Sequence, residues 1–214
     1  MALKTAVFAA LACASLLGCA KVASKIPGFG AKDDAPAPAP KIDLDRVPRS
    51  ELAKGGQGVI RVKVPTREID TLLVLRDNKP PVQSWRTGDG ILFSFRDGLL
   101  IETRGLGFDL MSASVPTKAQ ISAGGNRFTR SYFYMSLNDQ VARRDYSCVT
   151  EDRGPAQITV QGQGFQTRHV AEICERAEGY RFTNEYWLDG GVIRRSVQWA
   201  GPEAGSIQFS RVID

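Results

Sequence analysis

Few residues in this chain are equipped for chemistry, and that scarcity narrows the choices. There is one histidine, His169, among 214 residues. A histidine-cluster metal site is therefore excluded, and a Ser-His-Asp hydrolase would depend on His169 alone. His169 alternates with Thr167 and Ala171 and has no serine or cysteine placed as a nucleophile, so it reads as a hydrogen-bonded structural residue. The carboxylates Glu102, Asp109, Glu172, Glu185 and Asp189 are candidates for a glycosidase pair, which needs two carboxyl groups about 5–10 Å apart. Strand carboxylates usually face water. The sequence thus favours a chain that is not an enzyme and uses no metal or cofactor. It has no Walker loop and no complete G-x-G-x-x-G; Gly162-Gln163-Gly164 reads as a turn.

The four cysteines separate by position. Residues 5–18 form a mostly apolar run of 14 bounded by Lys4 and Lys21, too short for the roughly 20 residues that span a membrane. It fits the apolar region of a signal peptide over residues 1–18. Leu16-Leu17-Gly18-Cys19 resembles a bacterial lipobox, which implies that Cys19 takes lipid, palmitate among the chains, and becomes the new N-terminus. One acyl chain anchors marginally; the two or three of a lipoprotein anchor stably. Ala20, in place of an Asp, favours the outer membrane, with the domain facing the periplasm. Cys13 leaves with the signal, so Cys148 and Cys174 remain as a lone pair in an oxidising compartment, and a disulfide is expected. Closing a loop of this length is worth about 3.5 kcal/mol in the chain-entropy account. The geometry raises a difficulty: if residues 145–150, 156–161 and 165–174 are three successive strands, the cysteines lie about 9.5 Å apart, two strand spacings, beyond the roughly 7 Å a disulfide spans. Either the ends curl past the middle strand or the cysteines belong to different layers.

Hydrophobic residues at 43% and charged residues at 24% describe an ordinary globular chain. Without residues 1–18 the chain carries 27 basic and 23 acidic residues, net +4. No basic run of five occurs, and no nucleic-acid partner is expected. Residues 19–46 hold the anchor and an Ala-Pro repeat, Ala35 to Pro40, an extended semi-rigid tether that buries no face.

Residues 47–214 read as one β-rich domain. Residues 48–54 suit a helical turn; strand patterns follow, with turn residues every 8–12 positions. Arg96-Asp97-Gly98 between two apolar runs is a strong hairpin signal, and residues 81–104 read as a three-stranded meander. Further turns fall at Arg153-Gly154-Pro155, Gly162-Gln163-Gly164, Asp189-Gly190-Gly191 and Gly201-Pro202. Residues 169–178 could instead form a helix. The fold class is all-β: antiparallel meander strands in a curled sheet, sandwich or barrel behind a disordered tether.

Residues 84–111 contain Trp85-x-Thr87-x-Asp89-Gly90, Asp97-Gly98-Leu99 and Thr103-Arg104-Gly105-Leu106-Gly107-x-Asp109-Leu110. This block resembles the core of the YjbF (GfcB) lipoprotein family, as do Cys148, Thr167-Arg168-His169-Val170, Cys174, Tyr186-Trp187 and Gln198-Trp199. The likeness covers about residues 47–212. It implies an all-β periplasmic domain on an outer-membrane lipid anchor, associated with exopolysaccharide and group 4 capsule production. It also implies partners among polysaccharide-secretion proteins, including a large outer-membrane protein.

Turn chemistry accounts for most of the central block, with Arg104 able to fork onto Asp109 or onto carbonyls. The functional reading is that Trp85, Arg86 and Arg104 line a sugar-binding groove by ring stacking and carboxylate forks. A second candidate face comes from strand parity, which sets Arg181 with Trp187 and Arg195 with Trp199. Exposed, this face suits an acidic polysaccharide; buried, the tryptophans are core and the arginine stems edge it. The expected role is an accessory binding or assembly factor in exopolysaccharide or capsule export. The alternatives are a carbohydrate-active enzyme on that polymer and a periplasmic lipid or polymer carrier.

Overall fold

A computed structural model describes residues 42–135 and 140–214. The signal peptide, Cys19 and nearly all of the tether lie outside these residues.

The chain enters through a 3-10 turn at Leu44–Arg46 and the short helix α1 (Arg49–Ala53). Strands follow in antiparallel succession: β1 (Val59–Val64), β2 (Ile69–Lys79), β3 (Val82–Arg86), β4 (Leu92–Arg96), β5 (Leu99–Arg104) and β6 (Leu110–Ser114). Helix α2 (Lys118–Ala123) leads into β7 (Arg127–Met135), β8 (Val141–Val160), β9 (Gln163–Glu175), β10 (Arg181–Asp189), β11 (Val192–Gly201) and β12 (Gly205–Ile213). All twelve strands join one sheet in the order β5-β4-β3-β2-β1-β12-β11-β10-β9-β8-β7-β6. Strand β12 pairs with β1, so two meanders meet at that seam. The sheet curls until its end strands β5 and β6 lie side by side, a nearly closed barrel.

The expected meander over residues 81–104 is β3-β4-β5. Its β4–β5 turn places Asp97 at φ 52° and Gly98 at φ 87°, the two positive angles of a primed hairpin turn. A second expectation fails. Arg153-Gly154-Pro155 is not a turn but a bulge within β8, where the register shifts between Asp152 and Gly154. Gly154 has φ 84° and its N–H donates to Asp152 Oδ1 at 2.9 Å. Pro155 is tolerated because β7 has already ended beside Val149, leaving this stretch of β8 paired on one side only. Residues 141–160 are therefore one strand, and β9 is its immediate neighbour. Residues 169–175, the helix alternative, complete β9.

That correction removes the disulfide difficulty. Cys148 and Cys174 are direct cross-strand partners, with Cα atoms 4.1 Å apart and a formed S–S bond. Both are buried.

Aromatic rings fill the interior. Phe209 of β12 meets Phe93 and Phe95 of β4 edge-on at 5.4 and 4.9 Å. Phe182 packs on Tyr132, Tyr146 and Trp199. Helix α2, capped by a reciprocal Thr117–Gln120 box, inserts the fully buried Ile121 against Leu99, Val170, Tyr186 and Leu188. A second apolar cluster lies on the outer face. The tip of the β8–β9 hairpin brings Ile158, Val160 and Phe165 onto Val59 and Val212, with Leu52 of α1, Leu72 and Trp187 at the edge. Each large side chain so buried contributes roughly 1.5–3 kcal/mol. Gln161 in that tip donates to the carbonyls of Leu44 and Val47 at 2.6 and 2.5 Å, and Arg61 binds Asp45 at 2.5 Å. The chain is thus fastened to the domain from Leu44 onward.

Candidate functional site

The residues expected to line one groove do not come together. Neighbouring residues of a strand face opposite sides, so Trp85 and Arg86 separate. Trp85 is 2% exposed and belongs to the interior, whereas Arg86 is exposed. Arg104 is structural. It pairs with Glu102 at 2.6 Å and donates to the carbonyls of Thr103, Leu110 and Met111. Asp109 binds elsewhere, accepting from Thr103 Oγ1 and from the N–H groups of Gly105 and Leu106. Leu110 N donates to Thr103 Oγ1 at 2.9 Å. Side chains of the Thr103–Leu110 block therefore replace a backbone ladder where β5 meets β6. Gly105 and Gly107, at φ 93° and 96°, let the connection fold back on itself.

The second candidate face is half correct. Arg181 and Trp187 do share the outer face of β10. Trp187 stacks on His169 with centroids 4.6 Å apart, and His169 Nε2 lies 2.6 Å from Glu185 Oε2. Arg195 stands opposite Trp187 on β11 and donates to Thr159 O at 2.5 Å, clasping the hairpin tip. Trp199 breaks parity. Its backbone N–H donates to Asn184 Oδ1 at 2.7 Å, and a register shift follows before Gly201. The indole turns inward, stacks on Phe182 and is 8% exposed. Arg195 and Trp199 therefore do not form one face.

The five candidate carboxylates all have structural partners. Glu102 is bound by Ser94 and Arg104, Glu185 by His169, and Asp189 by Arg194. Glu172, expected at the surface, is fully buried. It accepts from Tyr186 OH at 2.7 Å and Asn184 Nδ2 at 2.8 Å, and Arg130 Nε lies 3.4 Å away. Arg130 is also fully buried and donates to Tyr132 OH at 2.8 Å. Burial opposes the Arg130 charge, but the carboxylate beside it prevails and holds its pKa above the usual guanidinium range. Burial likewise pushes the Tyr132 phenol up to about 12. The disulfide adjoins this network, with Cys174 Sγ 3.7 Å from Glu172 Oε1. Because both sulfurs are bonded to each other, this cluster is not a metal site.

What the structure does assemble is a groove of about 700 Å³ on the outer face, crossing β7, β8, β9 and the start of β10. Arg127, Arg176 and Arg181 line it with Thr129, Ser147 and Glu175. Among the described residues Arg127 and Arg181 make no ion pair, while Arg176 pairs with Glu178 at 3.0 Å. Register explains why sequence reasoning found only Arg181. Arg127 pairs with Val149, Val149 with Ile173, and Arg181 with Glu175. Fifty-odd residues of separation close only once β8 is recognised as a single strand.

The structure is similar to that of the hypothetical lipoprotein YmcC from Escherichia coli K12, with TM-score 0.70 and 15% identity over 82% of this chain and 98% of that one. A putative exported protein with a YmcC-like fold from Bacteroides fragilis matches with TM-score 0.38 and 12% identity, over 73% of this chain and 93% of that one. No curated protein matches the sequence. The profile of the group 4 capsule polysaccharide lipoprotein GfcB, YjbF, covers residues 45–212, and the chain belongs to that family.

Proposed function

We propose that this chain is a lipid-anchored accessory factor of exopolysaccharide or capsule export, held to the outer membrane through Cys19 and facing the periplasm. In this reading it binds an acidic polymer along the Arg127–Arg176–Arg181 groove. The groove carries the proposal: the guanidinium groups of Arg127 and Arg181, which form no ion pair among the described residues, offer planar forks for uronic or pyruvyl carboxylates. The packed interior supports surface binding over carriage, since a carrier needs an empty lumen. The engagement of each candidate carboxylate with a structural partner supports a binding role over glycoside hydrolysis. Partners of this role are the secretion proteins that deliver the polymer to the membrane.

The test is deletion of the chain, complemented by wild type or by Arg127→Ala with Arg181→Ala, with surface and culture-fluid polysaccharide measured. Deletion is expected to lower or redistribute the polymer, and the double variant to fail in complementation although it accumulates normally. Unchanged polymer in the deletion strain would refute the export role; full rescue by the double variant would refute the groove.

A further inference from the structure

One arginine is half-buried on an aromatic face. Arg211, near the end of β12, is half-buried, and its guanidinium lies 5.5 Å over the ring of Trp85. Among the described residues it has neither a hydrogen bond nor an ion pair. The nearby Asp214 carboxylate is taken by Arg194 at 2.7 and 2.8 Å. Arg194 is satisfied a second time by Asp189 at 3.1 Å. Burial holds the Arg211 pKa below the usual guanidinium range. Removing a charge from water without a partner is costly, and evolution commonly tolerates such a cost where a ligand supplies the partner.

Arg211 opens onto such a place. A pocket of about 400 Å³ lies at the end of the barrel where β1 begins, bounded by Pro80, Pro81, Gly98, Ile193 and Lys118. That volume falls in the range of small-molecule sites. Gln83, Gly98, Ile193 and Arg211 also line a narrower cleft of about 30 Å³ that runs in beside Trp85, room for about one water. Among the side chains that line the pocket, Lys118, Arg194 and Arg211 stand against Asp97 and Asp214, while Asp189, which also binds Arg194, lies outside the lining. The excess is positive. Gly98 suits this position because its φ is 87°, and a Cβ there would press on Ile193 Cδ1 at 3.0 Å.

We propose that this pocket binds a single carboxylate or phosphate group on a sugar-sized ligand, with Arg211 as the forked donor, Lys118 as a second positive charge and Gln83 as a neutral donor. The site is distinct from the outer-face groove and does not depend on it.

The test is an NMR titration of the full chain in detergent with arginine Nε and tryptophan indole labels. The probes are D-glucuronate, D-glucose and inorganic phosphate. Glucuronate is expected to shift the Arg211 Nε and Trp85 Nε1 resonances, and glucose to leave them in place. A phosphate shift equal to or greater than that of glucuronate would identify a phosphate group as the occupant. Silence with both anions would overturn the proposal. Arg211→Met should weaken glucuronate or phosphate binding at least about tenfold, the usual worth of a charged hydrogen bond. It should also leave the melting temperature unchanged or raised, because a desolvated charge is removed. A lowered melting temperature with unchanged binding would make Arg211 a structural residue and end the proposal. Arg127→Ala with Arg181→Ala should leave the Arg211 response intact, so failure of the groove and failure of this pocket are separable.

Discussion

Arg130 and Glu172 form the sharpest stability test in the molecule, because both are sealed inside the barrel. Replacing Arg130 with Met keeps most of the side-chain volume and removes the charge. Glu172 then retains two neutral donors, Tyr186 at 2.7 Å and Asn184 at 2.8 Å, with no cation. Breaking one side of a buried pair costs about 3–5 kcal/mol, a large share of the roughly 5–15 kcal/mol that holds a domain together. Glu172→Gln should cost a similar amount: its amide can still accept from Tyr186 and Asn184, but its NH₂ then faces the Arg130 guanidinium. The double variant Arg130→Met with Glu172→Gln removes both the charge and the donor–donor conflict, and should cost less than either single change. Urea unfolding of the four proteins closes the cycle, with an expected coupling of at least about 3 kcal/mol, the upper end for neighbours in one network.

A deficit under about 1 kcal/mol in Arg130→Met would show that the pair is neither desolvated nor coupled, and the account of the interior would be wrong.

Two further outcomes are expected. Reduction, or Cys148→Ser with Cys174→Ser, should lower stability by about 3.5 kcal/mol through the entropy of the opened loop, read as a lower urea midpoint; a change below about 1 kcal/mol would show that the unfolded chain is not constrained by the bridge. In acid, Asp70 is the group to watch: hydrogen bonding to Arg61, which outweighs partial burial, holds its pKa below 3.8, so its contribution is present above the unfolded pKa and is lost as pH falls below about 4. Its side chain is 40% exposed, so that contribution is about 1 kcal/mol or less, and Arg61→Gln should flatten this part of the acid limb in a pH series of melting curves.

Local structure is legible in the sequence where a short motif determines the backbone. Asp97-Gly98 fixed the β4–β5 hairpin, and alternation fixed most strands. Thr117-Lys118-Ala119-Gln120 spells the capping box of α2, yet only three residues follow before Gly124, too few for a 3.6-residue period to show. Gly154-Pro155 carried turn composition but forms a bulge, and composition does not distinguish the two because both need a positive φ beside an unpaired N–H. Side-chain direction failed for a different reason. The β8–β9 hairpin covers part of the outer face, so residues on both sides of β9, such as Val170 and Ala171, are buried, and the alternation of apolar and polar residues that marks an inner face is lost. Glu172 and Arg130 were hidden by the same ambiguity, since a charged residue is expected outside unless its partner's register is known.

The arginines bring these strands of evidence together. Arg61 fastens the entering chain, Arg104 closes the seam between β5 and β6, Arg130 balances Glu172, and Arg195 clasps the hairpin tip. One part of the block that carries the family likeness, Thr103 to Leu110, is therefore the closure of the barrel, and its residue types are explained by folding. Function has to be sought among cations that folding leaves unused. Arg127 and Arg181 flank a groove without forming an ion pair among the described residues, and Arg211 is held partly out of water on a tryptophan face. The one acid of that groove, Glu175, stands directly opposite Arg181, so it weakens the attraction for an anionic polymer. Glu175→Gln should accordingly tighten binding of an acidic polysaccharide and steepen its fall with salt. Binding that is unchanged by this substitution would mean that the polymer is not read through charge at this face.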